Sequence, residues 1–329
     1  MLCSRGSQSA PSAFDPARDG TSAERGVVTH MTSRSRAVIF PPSVRPGDWL
    51  TIIAPSSPSP HDELWRGLAW LRARYRLRFA AGALATDGYL AGDDARRALE
   101  LRRAIADDEA KAIVAIRGGY GAMRIMEDQP WEELARRPKW IVGFSDITAL
   151  HSMAWRAGVA SIHAPHVAGL GRDTPATVRA AWLAALERPR RAYAWRGLRV
   201  LHAGSACGML VGGNLALIHA MAAAGRLVIP EGAVLALEDV GEAPYRVDRM
   251  LTSLLVGDYL SSVSAVVFGH FHRCPPGPDG RKVEQVLQER TRNLGIPVLA
   301  GAPFGHDAHN EAFVLGGDAR VDGDALFFG

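Results

Sequence analysis

The sequence is poor in cysteine, in aromatic residues and in long apolar runs. Its three cysteines, Cys3, Cys207 and Cys274, are few, odd in number and far apart. That argues against a disulfide framework and fits a reducing compartment, so a cytoplasmic protein is expected. No uninterrupted run of about 18 apolar residues is present to span a bilayer. The nearest approach, Ala206 to Gly225, is broken by Asn214 and His219. The first 30 residues carry Ser, Gly, Asp and Arg without an apolar stretch, so no secretory signal is expected. An excess of one charge is lacking too: 38 Lys+Arg stand against 34 Asp+Glu, a net charge of +4. The pairs Arg96-Arg97, Arg136-Arg137 and Arg190-Arg191 read as solvated surface. Without a basic stripe or a binding motif, no nucleic acid is expected as a partner. The G-x-G-x-x-G spacing of dinucleotide sites is missing as well, and no cofactor is expected.

What remains is an ordinary globular composition, 47% hydrophobic and 22% charged. A chain of 329 residues suits two units of roughly 150 each. Residues 1–36 read as a flexible tail, being rich in Ser, Arg, Gly and Asp without apolar periodicity. From Ala37 strands and helices alternate. Trp49 to Ala54 is a short buried-strand pattern, and Pro55-Ser56-Ser57-Pro58 stops it. His61 to Tyr75 is helical in pattern. Asp93 to Ala106 is a second helix, opened by an acidic pair. Ala112 to Ile116 and Trp140 to Gly143 read as strands. Ile147 to Ala157 and Thr174 to Glu187 read as helices. Strands apolar on both faces, separated by helices, predict a Rossmann-like parallel sheet covered by helices over residues 37–190.

Beyond a linker at Arg188-Pro189-Arg190-Arg191 the rhythm changes. Strands are expected at Arg199 to His202, Ala233 to Glu238, Ala265 to Gly269 and Val298 to Gly301. Helices are expected near Asn214 to Ala224, Tyr245 to Leu255 and Val283 to Leu294. Glu311 to Phe328 reads as a hairpin with Gly316-Gly317-Asp318 near its tip. Residues 191–329 are thus expected to form a mixed α/β domain, and the fold class is α/β with two domains.

The most chemistry per residue lies in Lys139 to Leu150. A buried strand ends at Gly143, a serine follows two positions on, and a helix starts at once. Such a turn lifts a hydroxyl into solvent at the carboxyl edge of a sheet. It also sets Ser145 at a helix N-terminus, where the Asp146 N–H is a natural oxyanion donor. Serine is equally a preferred N-cap, and this segment alone leaves that reading open. The last glycine of G-x-S-x-G is missing, so the α/β-hydrolase signature is not met. The loop Arg117-Gly118-Gly119-Tyr120-Gly121 follows a buried strand and lets a backbone approach a ligand closely, though a simple tight turn has the same look. The spacing His270-x-His272-x-Cys274 has donor types suited to zinc, but a fourth ligand is not evident nearby and no metal is expected.

Five segments, in order, resemble the successive motifs of the LD-carboxypeptidases. They are Arg117 to Gly121, Val142 to Leu150, Gly212-Gly213-Asn214-Leu215, Leu237 to Glu242 with Tyr245 and Asp248 to Leu251, and Pro303-Phe304-Gly305-His306. The likeness runs from about Pro42 to Val321. It implies a serine peptidase with Ser145 as nucleophile, Glu238 and His306 completing a triad, and oxyanion donors at the Asp146 and Gly119 N–H groups. Residues 191–329 would then carry the glutamate and histidine, with the active site at the domain interface. The resemblance further implies release of a C-terminal D-amino acid from a murein tetrapeptide in cell-wall recycling, and a homodimer. An acylated or peptidyl nucleotide, as in the microcin C self-immunity branch, is the alternative substrate. A non-catalytic peptide-binding protein on the same scaffold is a third reading. An exopeptidase must grip the terminal carboxylate, and Arg117 or Arg246 suits that task, with Tyr120 beside the substrate. Departures from the family pattern fall at Ala222 to Arg226 and at Asp307 to Glu311, where they bear on specificity.

Overall fold

A computed structural model describes residues 38–329; the tail read over residues 1–36 lies outside them. The first half contributes the strands β1 (Trp49–Ile53), β2 (Arg76–Phe79), β3 (Ala110–Ala115), β4 (Trp140–Gly143) and β5 (Ser161–His163). All five pair in parallel. Their side chains are buried on both faces in β3, β4 and β5, as helices on each side of a parallel sheet require. The connecting helices form where the apolar periodicity predicts them. Asp93 caps the helix Asp94–Ala106 by accepting from the Arg96 N–H at 2.7 Å. Lys139, almost fully buried, donates from Nζ to the carbonyl of Ile105 at the other end of that helix, at 2.7 Å.

The second half supplies β6 (Tyr193–Trp195), β7 (Arg199–His202), β8 (Ser205–Asn214), β9 (Val234–Val240), β10 (Ala265–His272) and β11 (Val298–Ala300). The chain closes with β12 (Phe313–Leu315), β13 (Asp318–Asp322) and β14 (Ala325–Phe328). The second sheet has the order β6-β14-β13-β8-β9-β10-β11-β7. Its centre, β8 to β11, is parallel, and its flanks are antiparallel. The α/β class and the mixed second sheet agree with the sequence-based expectation.

Two expectations are corrected. Glu311 to Phe328 is not one hairpin. Phe313–Leu315 leaves the second sheet and pairs antiparallel with β5, giving the first sheet the order β12-β5-β4-β3-β1-β2. Gly316 and Gly317 lie between β12 and β13, and the hairpin is β13–β14, turning at Gly323 with φ +59°. Arg97 is not solvated surface. It is fully buried, because its guanidinium donates to the Pro55 and Gly121 carbonyls and pairs with Asp94.

The two sheets share a core. Ile147 from the turn at Ser145, with Leu150 and Ala154 from the helix that follows it, packs with Leu215, Ile218 and Met221 from the helix after β8. Each of the larger of these fully buried side chains, the leucines, isoleucines and methionine, is worth about 1.5–3 kcal/mol in transfer from water. Separate apolar clusters cover the outer face of each sheet. No helix among the described residues is long and apolar enough to cross a membrane.

Candidate active site

β4 ends at Gly143, where a Cβ would stand 2.8 Å from the Ile147 side chain. The backbone therefore turns hard, through a short 3-10 turn, Ser145–Ile147, into the helix Thr148–Arg156. Ser145 is held at φ +61°, a left-handed conformation that costs a non-glycine residue about 1–3 kcal/mol. It does not act as an N-cap. Its Oγ instead meets Nε2 of His306 at 3.0 Å. Nδ1 of His306 lies 2.6 Å from Oε2 of Glu238. A carboxylate only accepts, so Nδ1 carries the proton and Nε2 offers a lone pair to the serine hydroxyl.

Glu238 sits inside β9 and is fully buried. Its other oxygen accepts from Nδ2 of Asn214 at 3.4 Å. Asn214 has three further tasks. Its Oδ1 caps the helix Leu215–Ala223 by accepting from Leu217 N–H. Its Nδ2 also donates to Asp239 at 2.9 Å, and its N–H donates to Thr148 Oγ1 at 2.9 Å, on the helix behind the serine. A helix starting near Asn214 was expected from the sequence, but the side chain's cap and its bond to the glutamate were not. Burial, with the neighbouring Glu238 charge adding to it, pushes the Asp239 carboxyl up to about 6. His306 lies between β11 and β12, on a loop where Gly305 takes φ +130°. A Cβ at Gly305 would stand 3.2 Å from Oε2 of Glu238, so this close approach needs glycine.

The loop Arg117 to Gly121 lies directly over the serine. A Cβ added to Gly118 would meet Ser145 Cβ at 2.9 Å and Oγ at 3.2 Å. Gly119, at φ +106°, packs on Ser57, whose Oγ accepts from Tyr120 N–H at 3.2 Å. Buried Arg97 holds the far end of the loop through the Gly121 carbonyl at 2.9 Å. The Asp146 side chain is buried and faces away from the hydroxyl. It accepts from Ser56 Oγ at 2.6 Å and from Ala122 N–H at 2.8 Å, while burial raises its carboxyl above the ordinary range. Neither Asp146 nor Gly119 gives its N–H to a protein group among the described residues. Ser56 and Arg97 were missed as supports of the site; one was read as a strand stop, the other as surface.

The remaining expected site residues are less closely joined. Arg117 donates from Nη1 to the Pro58 carbonyl at 2.6 Å. Tyr120 is exposed and stacks edge-on with Tyr89, ring centres 5.7 Å apart. Arg246 bonds Tyr245 and pairs with Glu242. None of the three hydrogen-bonds Ser145, Glu238 or His306. In the His270 to Cys274 run, His270 pairs with Asp307 and Cys274 Sγ accepts from Glu242 N–H. No group of three or more His, Cys, Asp or Glu side chains among the described residues is arranged to hold a metal ion.

With this geometry in view, the comparisons with known proteins are direct. Residues 50–164 match the LD-carboxypeptidase N-terminal domain, and residues 207–321 match the LD-carboxypeptidase C-terminal domain. The chain belongs to the LD-carboxypeptidase family. A Synechocystis protein provisionally designated a carboxypeptidase is 37% identical over 304 residues, 90% of this chain and 98% of its own. The murein tetrapeptide carboxypeptidase of Pseudomonas aeruginosa is 34% identical over 248 residues, covering 72% of this chain and 81% of its own. The crystal structure of muramoyltetrapeptide carboxypeptidase from Oxalobacter formigenes aligns with a TM-score of 0.77 at 28% identity. It covers 85% of this chain and 98% of that one. This LD-carboxypeptidase family member thus shares its two-domain fold and its serine-peptidase class with those relatives.

Proposed function

We propose that the protein is a serine carboxypeptidase that cleaves an L,D-peptide bond and releases a C-terminal D-amino acid. The observation that carries the reading is the unbroken chain from Ser145 Oγ through both nitrogens of His306 to buried Glu238, at 3.0 and 2.6 Å. A serine hydroxyl is a poor nucleophile until a base takes its proton. In this reading the Ser145 oxygen attacks the scissile carbonyl carbon while Nε2 of His306 takes the hydroxyl proton. Glu238 holds the ring in the needed tautomer and stabilises the imidazolium. The Asp146 and Gly119 N–H groups receive the oxyanion, each worth about 10²–10³ in rate. Collapse of the tetrahedral adduct breaks the C–N bond, and His306 gives its proton to the departing amine. Water, deprotonated by the same imidazole, then frees the acyl group from Ser145.

The names of the relatives from Pseudomonas aeruginosa and Oxalobacter formigenes support a murein tetrapeptide as substrate, with a role in cell-wall recycling. We also propose a cytoplasmic homodimer, the form in which the family resemblance leads us to expect that role. The test is a turnover assay on an L,D-tetrapeptide with the Ser145→Ala protein beside the wild type. Release of D-alanine by the wild type alone is the expected result. Undiminished release by Ser145→Ala would end the reading. An aminoacyl-nucleotide substrate in a parallel assay tests the microcin C type of activity, and retention of intact peptide without turnover would identify a binding protein.

A further inference from the structure

One buried titratable side chain beside the site has no task in this mechanism. His166 follows β5 and precedes the short helix Val167–Leu170. It is 5% exposed. Its ring stacks on Phe144 at 4.4 Å and 30°, and the same Phe144 ring lies 4.8 Å from the ring of His306. Nδ1 is enclosed and has no hydrogen-bond partner. Nε2 also bonds no protein group, and it lies beside the glycine loop. A Cβ on Gly118 would stand 3.3 Å from this nitrogen and 3.2 Å from Ser145 Oγ, so both atoms border the same small space.

The electrostatics around this ring are one-sided. Burial is the main cause that holds the ring neutral, and the positive charges of Arg172 and Arg117 act in the same direction. Arg172 is balanced by Glu63 at 3.0 Å. Arg117 pairs with no carboxylate among the described residues, giving only one N–H to the Pro58 carbonyl. A neutral imidazole has one donor and one acceptor. An enclosed orphan N–H is a rare and costly thing, which puts the proton on Nε2 and turns a donor toward the open space. A donor that shares a small space with the nucleophile, and an unbalanced guanidinium whose charge reaches that donor's ring, fit an anionic group that the protein itself does not supply.

We propose that His166 is a substrate-binding residue, its Nε2–H donating to the terminal carboxylate of the bound peptide in concert with Arg117. This rests on the peptidase reading above and names the group within the substrate that the site grips. The alternative, a histidine that merely fills space against Phe144, predicts no link between its ring nitrogen and the charge of the ligand.

The experiment measures calorimetric dissociation constants in the Ser145→Ala background. The ligands are the L,D-tetrapeptide as free acid and the same peptide as C-terminal amide. Ser145→Ala should prefer the acid. Adding His166→Leu should weaken acid binding by about 10- to 100-fold, the worth of a hydrogen bond to a charged group, and leave amide binding unchanged. His166→Gln, which keeps an N–H near Nε2, should restore most of the preference, and it serves if the leucine variant folds poorly. An acid-to-amide ratio unmoved by either variant would overturn the proposal, as would equal weakening of both ligands. A wild type that cleaves the tetrapeptide alongside an unmoved ratio sinks this inference alone. A wild type that neither binds nor cleaves it sinks the peptidase reading, and this inference with it.

Discussion

Replacing Glu238 by Gln isolates what the buried carboxylate does. The change keeps shape and volume in a side chain with no solvent exposure. Oε2 accepts from His306 and Oε1 accepts from Asn214 Nδ2, so both neighbours are donors. A glutamine offers one oxygen and one NH₂. If the oxygen faces His306, two NH₂ groups oppose each other at Asn214. If the NH₂ faces His306, the imidazole must carry its proton on Nε2, where it can no longer accept from Ser145. The lost charge adds to this. Attraction between a carboxylate and an imidazolium about 4 Å apart is worth about 4 kcal/mol at an effective dielectric of about 20. Removing it costs a factor of about 10³ in rate. The tautomer penalty brings the expected fall in kcat to about 10³–10⁴, similar to the amide substitution in triads of unrelated folds. The assay is steady-state release of D-alanine, with peptide binding measured in parallel. A kcat within about tenfold of wild type, with binding intact, would refute the role assigned to Glu238.

Other outcomes follow from the same geometry. Gly118→Ala sets a methyl group 2.9 Å from Ser145 Cβ and should abolish turnover, while the crowding lowers stability by about 1–3 kcal/mol; wild-type kcat in that variant would mean the loop does not border the reacting atoms. His151 is fully buried beside Gly143, and burial pushes its pKa down to about 4 from 6.5. Its stabilising contribution is therefore complete above pH 6.5 and is lost as pH falls toward 4, by about 3 kcal/mol, which urea midpoints of wild type and His151→Gln across that window will measure. Asp239 has the opposite slope. Its raised carboxyl contributes stability that is complete below pH 3.8 and lost as pH rises through about 6, again by about 3 kcal/mol, so Asp239→Asn should gain stability relative to wild type as pH rises between those values, where the His151 contribution runs the other way. An identical slope in both proteins would contradict the burial argument.

Local rules made much of the first half readable. The apolar strands around Ile52, Val114 and Val142 and the Asp93-capped helix all stand where period and capping put them. β8 was missed, and the reason is its glycines. Gly208 and Gly212 weaken a strand pattern, yet a Cβ at either would fall 1.9 Å from a carbonyl oxygen, of Gly232 and of Ala236 respectively. Their absence of side chain is what lets neighbouring backbone approach. Phe313 to Leu315 was misassigned because alternation identifies a strand but not its partner. Arg97 was misread because burial of a guanidinium depends on distant carbonyls, at Pro55 and Gly121. The site divides in the same way. The strand–serine–helix turn was legible in Gly143 to Thr148, but that segment alone left a plain helix cap open, and the strain at Ser145 was not visible in it. The meeting of Ser145 with His306 joins positions 161 residues apart, and no local signal reports that. Motif order, through family resemblance, bridged that gap.

The segment that carries the imidazole begins at β11 of one sheet and is anchored at β12 in the other. It is strung like a tie-rod between the two halves. A nascent chain therefore cannot hold His306 against Ser145 until β12 has emerged and paired with β5, and severing the molecule between residues 190 and 191 would leave the first sheet without its edge.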